Sequence, residues 1–144
     1  MKLVDTNILL YVVNPAAHEH PRVLAWWEAA IRGDQPIGFA WIVLVGFLRI
    51  STNPRAFVRP LSPQQALDQI AAWLDLPVAR IVQESDDHWR YVRELLEVTG
   101  TTGSLTTDAH LGALAITHGA TMVSCDADFL RFRQVRWENP LVSP

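Results

Sequence analysis

Four aspartates occupy the places where short apolar runs give out. Leu3-Val4 stops at Asp5, Thr121-Met122-Val123-Ser124 is followed by Cys125-Asp126-Ala127-Asp128, and Asp108 lies in the first turn of a helical stretch before that second run. If both runs are buried, central and parallel strands, their carboxyl ends open on one crevice, and three or four carboxylates meet there. Carboxylates that close repel one another and hold protons unless a cation neutralises them. An oxygen-only donor set with no Cys or His cluster suits a hard divalent ion, Mg²⁺ or Mn²⁺. Such an ion polarises a phosphodiester and activates a water for in-line attack. The chemistry read from these residues is metal-dependent phosphoryl hydrolysis. Each residue alone also has a plainer role. Asp5, Asp126 and Asp128 are acceptable helix caps, and Asp108 is a carboxylate favoured by a helix dipole.

The elements around them must form an alternation of strands and helices. A strand over Leu3-Val4 leads into a helix from Thr6 that Asn14-Pro15 breaks. A second helix is expected from about Ala17 to Arg32, then a turn over Gly33-Asp34-Gln35-Pro36 and a strand near Pro36-Ile37-Gly38. Trp41 to Ile50 is apolar almost all round and reads as a buried helix. Ser62-Pro63 is an N-cap followed by proline at the first helical position, opening a helix with Ala66, Leu67, Ile70 and Trp73. Pro77 to Val82 is strand-like. Ser85-Asp86-Asp87 caps a helix whose Trp89, Val92, Leu95 and Leu96 face inward, and Gly100 ends it. The Asp108 helix runs through His118 to Gly119, and Val135 to Glu138 forms a last strand. This order of elements indicates an α/β domain with a mainly parallel sheet. No linker or repeat divides the chain, so residues 1–144 are expected to form one domain.

Composition narrows the function classes. Hydrophobic residues make up 49% and charged residues 19% of 144, which excludes a disordered chain. The formal net charge of -3 gives no bulk attraction for duplex nucleic acid. A local basic face stays open, because every one of the 12 basic residues except Lys2 is an arginine. Cys125 is the single cysteine, so there is neither a disulfide framework nor a thiolate zinc cluster; it reads as a small buried residue. No apolar run approaches the ~18 residues of a membrane span, and the start of the chain lacks the apolar centre of a signal peptide. A cytoplasmic location is expected. His110 and His118, two turns apart with no third partner, read as surface or partly buried groups rather than ligands. His18 and His20 beside a proline turn receive no role. The six tryptophans mostly fall at core spacing, with one or two available for a partner surface. Arg49, Arg55 and Arg59 are either solvated charges or contacts to the phosphates of a phosphodiester substrate, which the guanidinium fork suits.

Three stretches carry a resemblance: Met1-Lys2-Leu3-Val4-Asp5-Thr6-Asn7-Ile8-Leu9-Leu10, Thr107-Asp108-Ala109-His110-Leu111-Gly112-Ala113-Leu114-Ala115, and Gly119 through Phe129. In that order and separation they resemble a PIN domain, and more narrowly the VapC toxins of type II toxin–antitoxin pairs. Phe47-Leu48-Arg49-Ile50 and the tail Arg136-Trp137-Glu138-Asn139-Pro140 extend the resemblance over essentially the whole chain. It implies a three-layer α/β/α fold and a Mg²⁺- or Mn²⁺-dependent endoribonuclease silenced by a cognate antitoxin. Carried over by position, Asp5, Asp108 and Asp126 bind the metal and perform catalysis. Asp128 is an outer or second-metal ligand, Asn7 fixes the Asp5 carboxylate, and Ser124 hydrogen-bonds nearby. The resemblance also implies a short antitoxin that fills the acidic groove with a basic side chain, and the Trp- and Leu-rich faces suggest a homodimer. One position departs from the pattern. The family usually carries an acid, most often Glu, in the helix before the Leu-Arg pair, and Gly46 stands there. That loss favours one metal over two, and it leaves open a catalytically weakened module acting by binding RNA or protein. A phosphatase with an aspartyl nucleophile is disfavoured, because Asp5-Thr6-Asn7 has no second acid two residues on.

Overall fold

The strands are very short, and the three central ones are almost completely buried. In the computed structural model, which describes residues 1–142, β1 (Lys2–Val4), β2 (Ile37–Phe39), β3 (Ala79–Ile81), β4 (Thr121–Val123) and β5 (Trp137–Glu138) form one sheet. Positions 143 and 144 of the expected domain lie outside the described residues. The strand order is β3-β2-β1-β4-β5 and every pairing is parallel. Leu3, Val4, Ile37, Phe39, Met122 and Val123 are 0% exposed. Helices cover both faces of such a sheet, which is why its strands read as unbroken apolar runs instead of alternating ones.

The helices are α1 (Thr6–Val13), α2 (His20–Arg32), α3 (Trp41–Ser51), α4 (Pro63–Leu74), α5 (His88–Thr99) and α6 (Thr106–Thr117). From β1 through β2 to β3 the chain moves one way across the sheet. Right-handed crossovers then place α1 to α4 on one face. The return to β4, on the other side of β1, places α5 and α6 on the opposite face. The packing agrees: α1 lies against α2 and α3, α3 against α4, and α5 against α6. The result is the three-layer α/β/α arrangement with a parallel central sheet.

An aromatic cluster locks the first face. Trp73 of α4 meets Trp27 of α2 edge-on at 5.8 Å and Phe47 of α3 at 4.8 Å, geometries that add about 0.5–1.5 kcal/mol per pair beyond burial. Ser62 caps α4 through a reciprocal pair with Gln65, each side chain bonding the other's backbone N–H.

Several sequence expectations need correction. The helix expected from Ala17 starts at His20, because Asn14 to Glu19 folds as successive turns. α3 is not buried all round: Trp41, Ile42 and Val45 are exposed, on the side away from Val43, Leu44 and Phe47. Trp89 does not face inward; it is 69% exposed, and Val92 and Leu95, flanked by partly buried Tyr91 and Leu96, seal α5 onto the core. Leu67 of α4 is likewise exposed. No helix among the described residues is long and apolar enough to cross a membrane.

Candidate metal centre

The sheet order reverses between β1 and β4, and a crevice opens beyond the carboxyl ends of strands at such a switch point. Val4 pairs with Val123, and the Asp5 N–H donates to the Val123 carbonyl at 2.9 Å. Asp5 and Ser124 are therefore neighbours, each one residue past a paired strand end. The Ser124 hydroxyl donates to Asp5 Oδ2 at 2.6 Å, and Asn7 Nδ2 lies 3.1 Å from both that oxygen and Ser124 Oγ. Ser124 Oγ also accepts the Asp126 N–H at 3.0 Å, and Asn7 Oδ1 accepts the Cys125 N–H at 3.1 Å. One buried network thus ties the start of α1 to the segment after β4.

Asp5 is at once a cap and a member of this network. Its backbone is extended, its Oδ1 accepts the Thr6 N–H at 2.7 Å, and that oxygen keeps a lone pair. Asp126 has the same double character. It caps a 3₁₀ helix, Ala127–Arg131, by accepting the Asp128 N–H on Oδ1 at 2.8 Å. Asp108 projects from the first turn of α6. The cap readings and the site readings of these aspartates coincide, because a strand end that starts a helix is also where the crevice lies.

Three carboxylates come together: Asp108, Asp126 and Asp128 each offer an oxygen, all within 4.8 Å of one another. Asp5 lies outside that trio but within its field. Burial raises the Asp5 pKa, the hydrogen bonds from Ser124, Thr6 and Asn7 oppose the rise, and the Asp126 charge adds to it. Asp108 is pushed up to about 6, first by burial and then by the charges of Asp126, Asp5 and Asp128. The Cys125 thiol is pushed up to about 11 by burial, with Glu19 and Asp5 adding to it; a thiol kept protonated is no nucleophile or soft ligand. An all-carboxylate cluster whose members resist ionising together fits a hard dication, which would supply the missing positive charge.

The rest of the expected site is placed as follows. Gly46 is buried on α3 against Thr6; a Cβ there would stand 3.2 Å from Thr6 Oγ1. α3 thus packs directly on the Asp5–Thr6 turn without adding a carboxylate at position 46. Arg49, Arg55 and Arg59 are exposed. His110 is engaged away from the aspartates, with Nδ1 2.8 Å from His88 Nε2 and Nε2 3.4 Å from Glu84. His118 Nε2 lies 2.8 Å from the Gln83 carbonyl oxygen. A hollow of about 640 Å³ beside Lys2, Trp26, Trp137 and Glu138 contains none of the four aspartates.

Comparison with known proteins agrees over nearly the whole chain. The model of the PIN domain family matches residues 2–135. Ribonuclease VapC37 of Mycobacterium tuberculosis is 43% identical, with 97% of each chain covered. Ribonuclease VapC33 of the same organism is 36% identical over 98% of this chain and 99% of its own. Among solved structures, VapBC2 from Rickettsia felis bound to a promoter DNA fragment contains a chain that superposes with TM-score 0.71 at 22% identity. That match covers 96% of this chain and 97% of the other.

Proposed function

We propose, since this chain belongs to the PIN-domain family and to its VapC ribonuclease branch, that it is a Mg²⁺- or Mn²⁺-dependent endoribonuclease and the toxin of a type II toxin–antitoxin pair. The observation that carries the reading is the convergence of Asp108, Asp126 and Asp128 at the β1–β4 switch point, with Asp5 held nearby by Ser124. Oxygen donors alone suit either ion.

The residues divide the work. Asp108, Asp126 and Asp128 would hold the ion, with Asp5 adding its negative charge beside them. When bound, the ion supplies a polarised phosphoryl oxygen and a more acidic water for hydrolysis of the phosphodiester. Ser124 and Asn7 hold the Asp5 carboxylate in one orientation, and Ser124 also fixes the backbone that presents Asp126. The 3₁₀ turn sets Asp128 beside Asp126. Such fixed negative charge binds a cation without reorganising, the condition under which electrostatic stabilisation is largest. With glycine at 46 the site has one carboxylate fewer than its relatives' usual pattern, and a single ion is the better fit.

The reading extends to partners. A cognate antitoxin would cover the acidic site with a basic side chain, and the exposed Trp41, Ile42 and Val45 of α3 offer an apolar face to a second copy of the chain. The chain would act as one domain in the cytoplasm, where RNA is the substrate.

The test is RNA cleavage by the purified protein. Fragments are expected with Mn²⁺, none after EDTA, and fragments again when Mn²⁺ is restored in excess. Cleavage that persists in EDTA would overturn the mechanism. RNA bound but left intact at every metal concentration would favour the binding-module reading that Gly46 keeps open.

A further inference from the structure

The 3₁₀ helix that carries Asp128 also carries an unpaired cation. A 3₁₀ helix has 3.0 residues per turn, so residues i and i+3 eclipse, and its rise of ~2.0 Å per residue separates them by ~6 Å along the axis. The Ala127–Arg131 segment and its capping residue Phe132 keep this period: the Phe132 N–H donates to the Phe129 carbonyl, and both rings are buried, 6.2 Å apart. Asp128 and Arg131 are the preceding pair in the same register, so they share a face of their own, about 120° around the axis from the phenylalanines. Asp128 is part of the acidic trio, and Arg131 is exposed. Among the described residues no carboxylate lies within ion-pairing distance of Arg131, whereas Arg90 and Arg93 are both engaged by acids on their own helix. Two buried phenylalanines therefore anchor a short, stiff element that holds a metal-side carboxylate and a free guanidinium one turn apart.

We propose that Arg131 binds the RNA phosphate adjoining the one being cut. The inference rests on the ribonuclease reading and adds a binding residue to it. A guanidinium is always charged and forks onto phosphate oxygens. Here it meets a need of the site, because four carboxylates repel the RNA backbone everywhere except at the ion. Arg131 supplies positive charge about one phosphate step away and sets the register of the chain over the metal.

The test uses a fluorescently labelled random-sequence single-stranded RNA pool with Mn²⁺, reading kcat/KM from about 50 to about 200 mM KCl. Arg131→Gln is expected to raise KM about tenfold with kcat nearly kept. It should also flatten the dependence of log(kcat/KM) on log[KCl] by about 0.7, the value for one lost phosphate contact on single-stranded nucleic acid. Arg131→Lys should restore the slope, because charge and not shape sets it. Arg80→Gln should change neither quantity: Arg80 sits on edge strand β3 with its guanidinium on the Pro77 and Ala79 carbonyls. An unchanged slope and KM in Arg131→Gln, with wild-type cleavage intact, overturns the inference and leaves the ribonuclease reading standing. A wild-type protein that cuts no RNA overturns both.

Discussion

Asp126→Asn is expected to fold and to lose RNA cleavage in Mn²⁺ by a factor of about 10³ or more, some 4 kcal/mol of transition-state stabilisation. Asparagine caps helices as well as aspartate does, so the 3₁₀ turn that Asp126 begins should survive. What disappears is charge. Asp126 is one of the three converging carboxylates, and its field reaches both Asp5 and Asp108. Removing it weakens the grip on the ion while easing the repulsion that made the ion necessary. Initial cleavage rates, with circular dichroism to confirm the fold, check the prediction. A loss below about tenfold would place the chemistry elsewhere.

The second large effect is a stability that depends on pH and metal together. In the ion-free protein Asp108 titrates near 6, above its ordinary value of 3.8, and burial raises Asp5 in the same direction. A carboxyl with a raised folded-state pKa binds its proton more tightly folded than unfolded. Its contribution is fully present below about pH 4 and is lost as pH rises through about 6. In EDTA the melting temperature should therefore carry a component that falls between about pH 4 and pH 7. Asp108 is partly exposed, so solvent screening makes the drop smaller than its full shift implies. Saturating Mn²⁺ should reverse the trend above pH 6, since the ion binds the ionised carboxylates of the folded state and stabilises it by mass action. Thermal melts at pH 4.5 to 7.5, with EDTA and with Mn²⁺, check both halves. Asp108→Asn should flatten the EDTA curve.

Much of this was legible in the chain because the site is made from strand ends. A buried parallel strand leaves a short apolar run, and the residue that ends it is visible as the first charge. Val4-Asp5 and Val123 through Asp126 both carry that mark, and the resemblance to PIN domains joined them. Less legible were features set by register and packing. The place of Asp5 beside Ser124 depends on Val4 pairing with Val123, which no local pattern encodes. The open side of α3 was hidden because a helix apolar all round has no period from which to choose a face. Trp89 escapes prediction for a related reason: Tyr91, Val92, Leu95 and Leu96 together seal α5, and the neighbouring aromatic is left to solvent. The alignment of Asp128 and Arg131 on one face follows a period of three, which a helical spacing of 3.6 does not reveal.

Calorimetric titration with Mn²⁺ measures directly whether these aspartates hold a divalent ion. The wild-type protein is expected to bind close to one ion per chain near pH 7.5, with binding weakening as pH falls through about 6 and lost in Asp126→Asn. No heat of binding at millimolar Mn²⁺, or binding that Asp126→Asn leaves unchanged, would contradict the account.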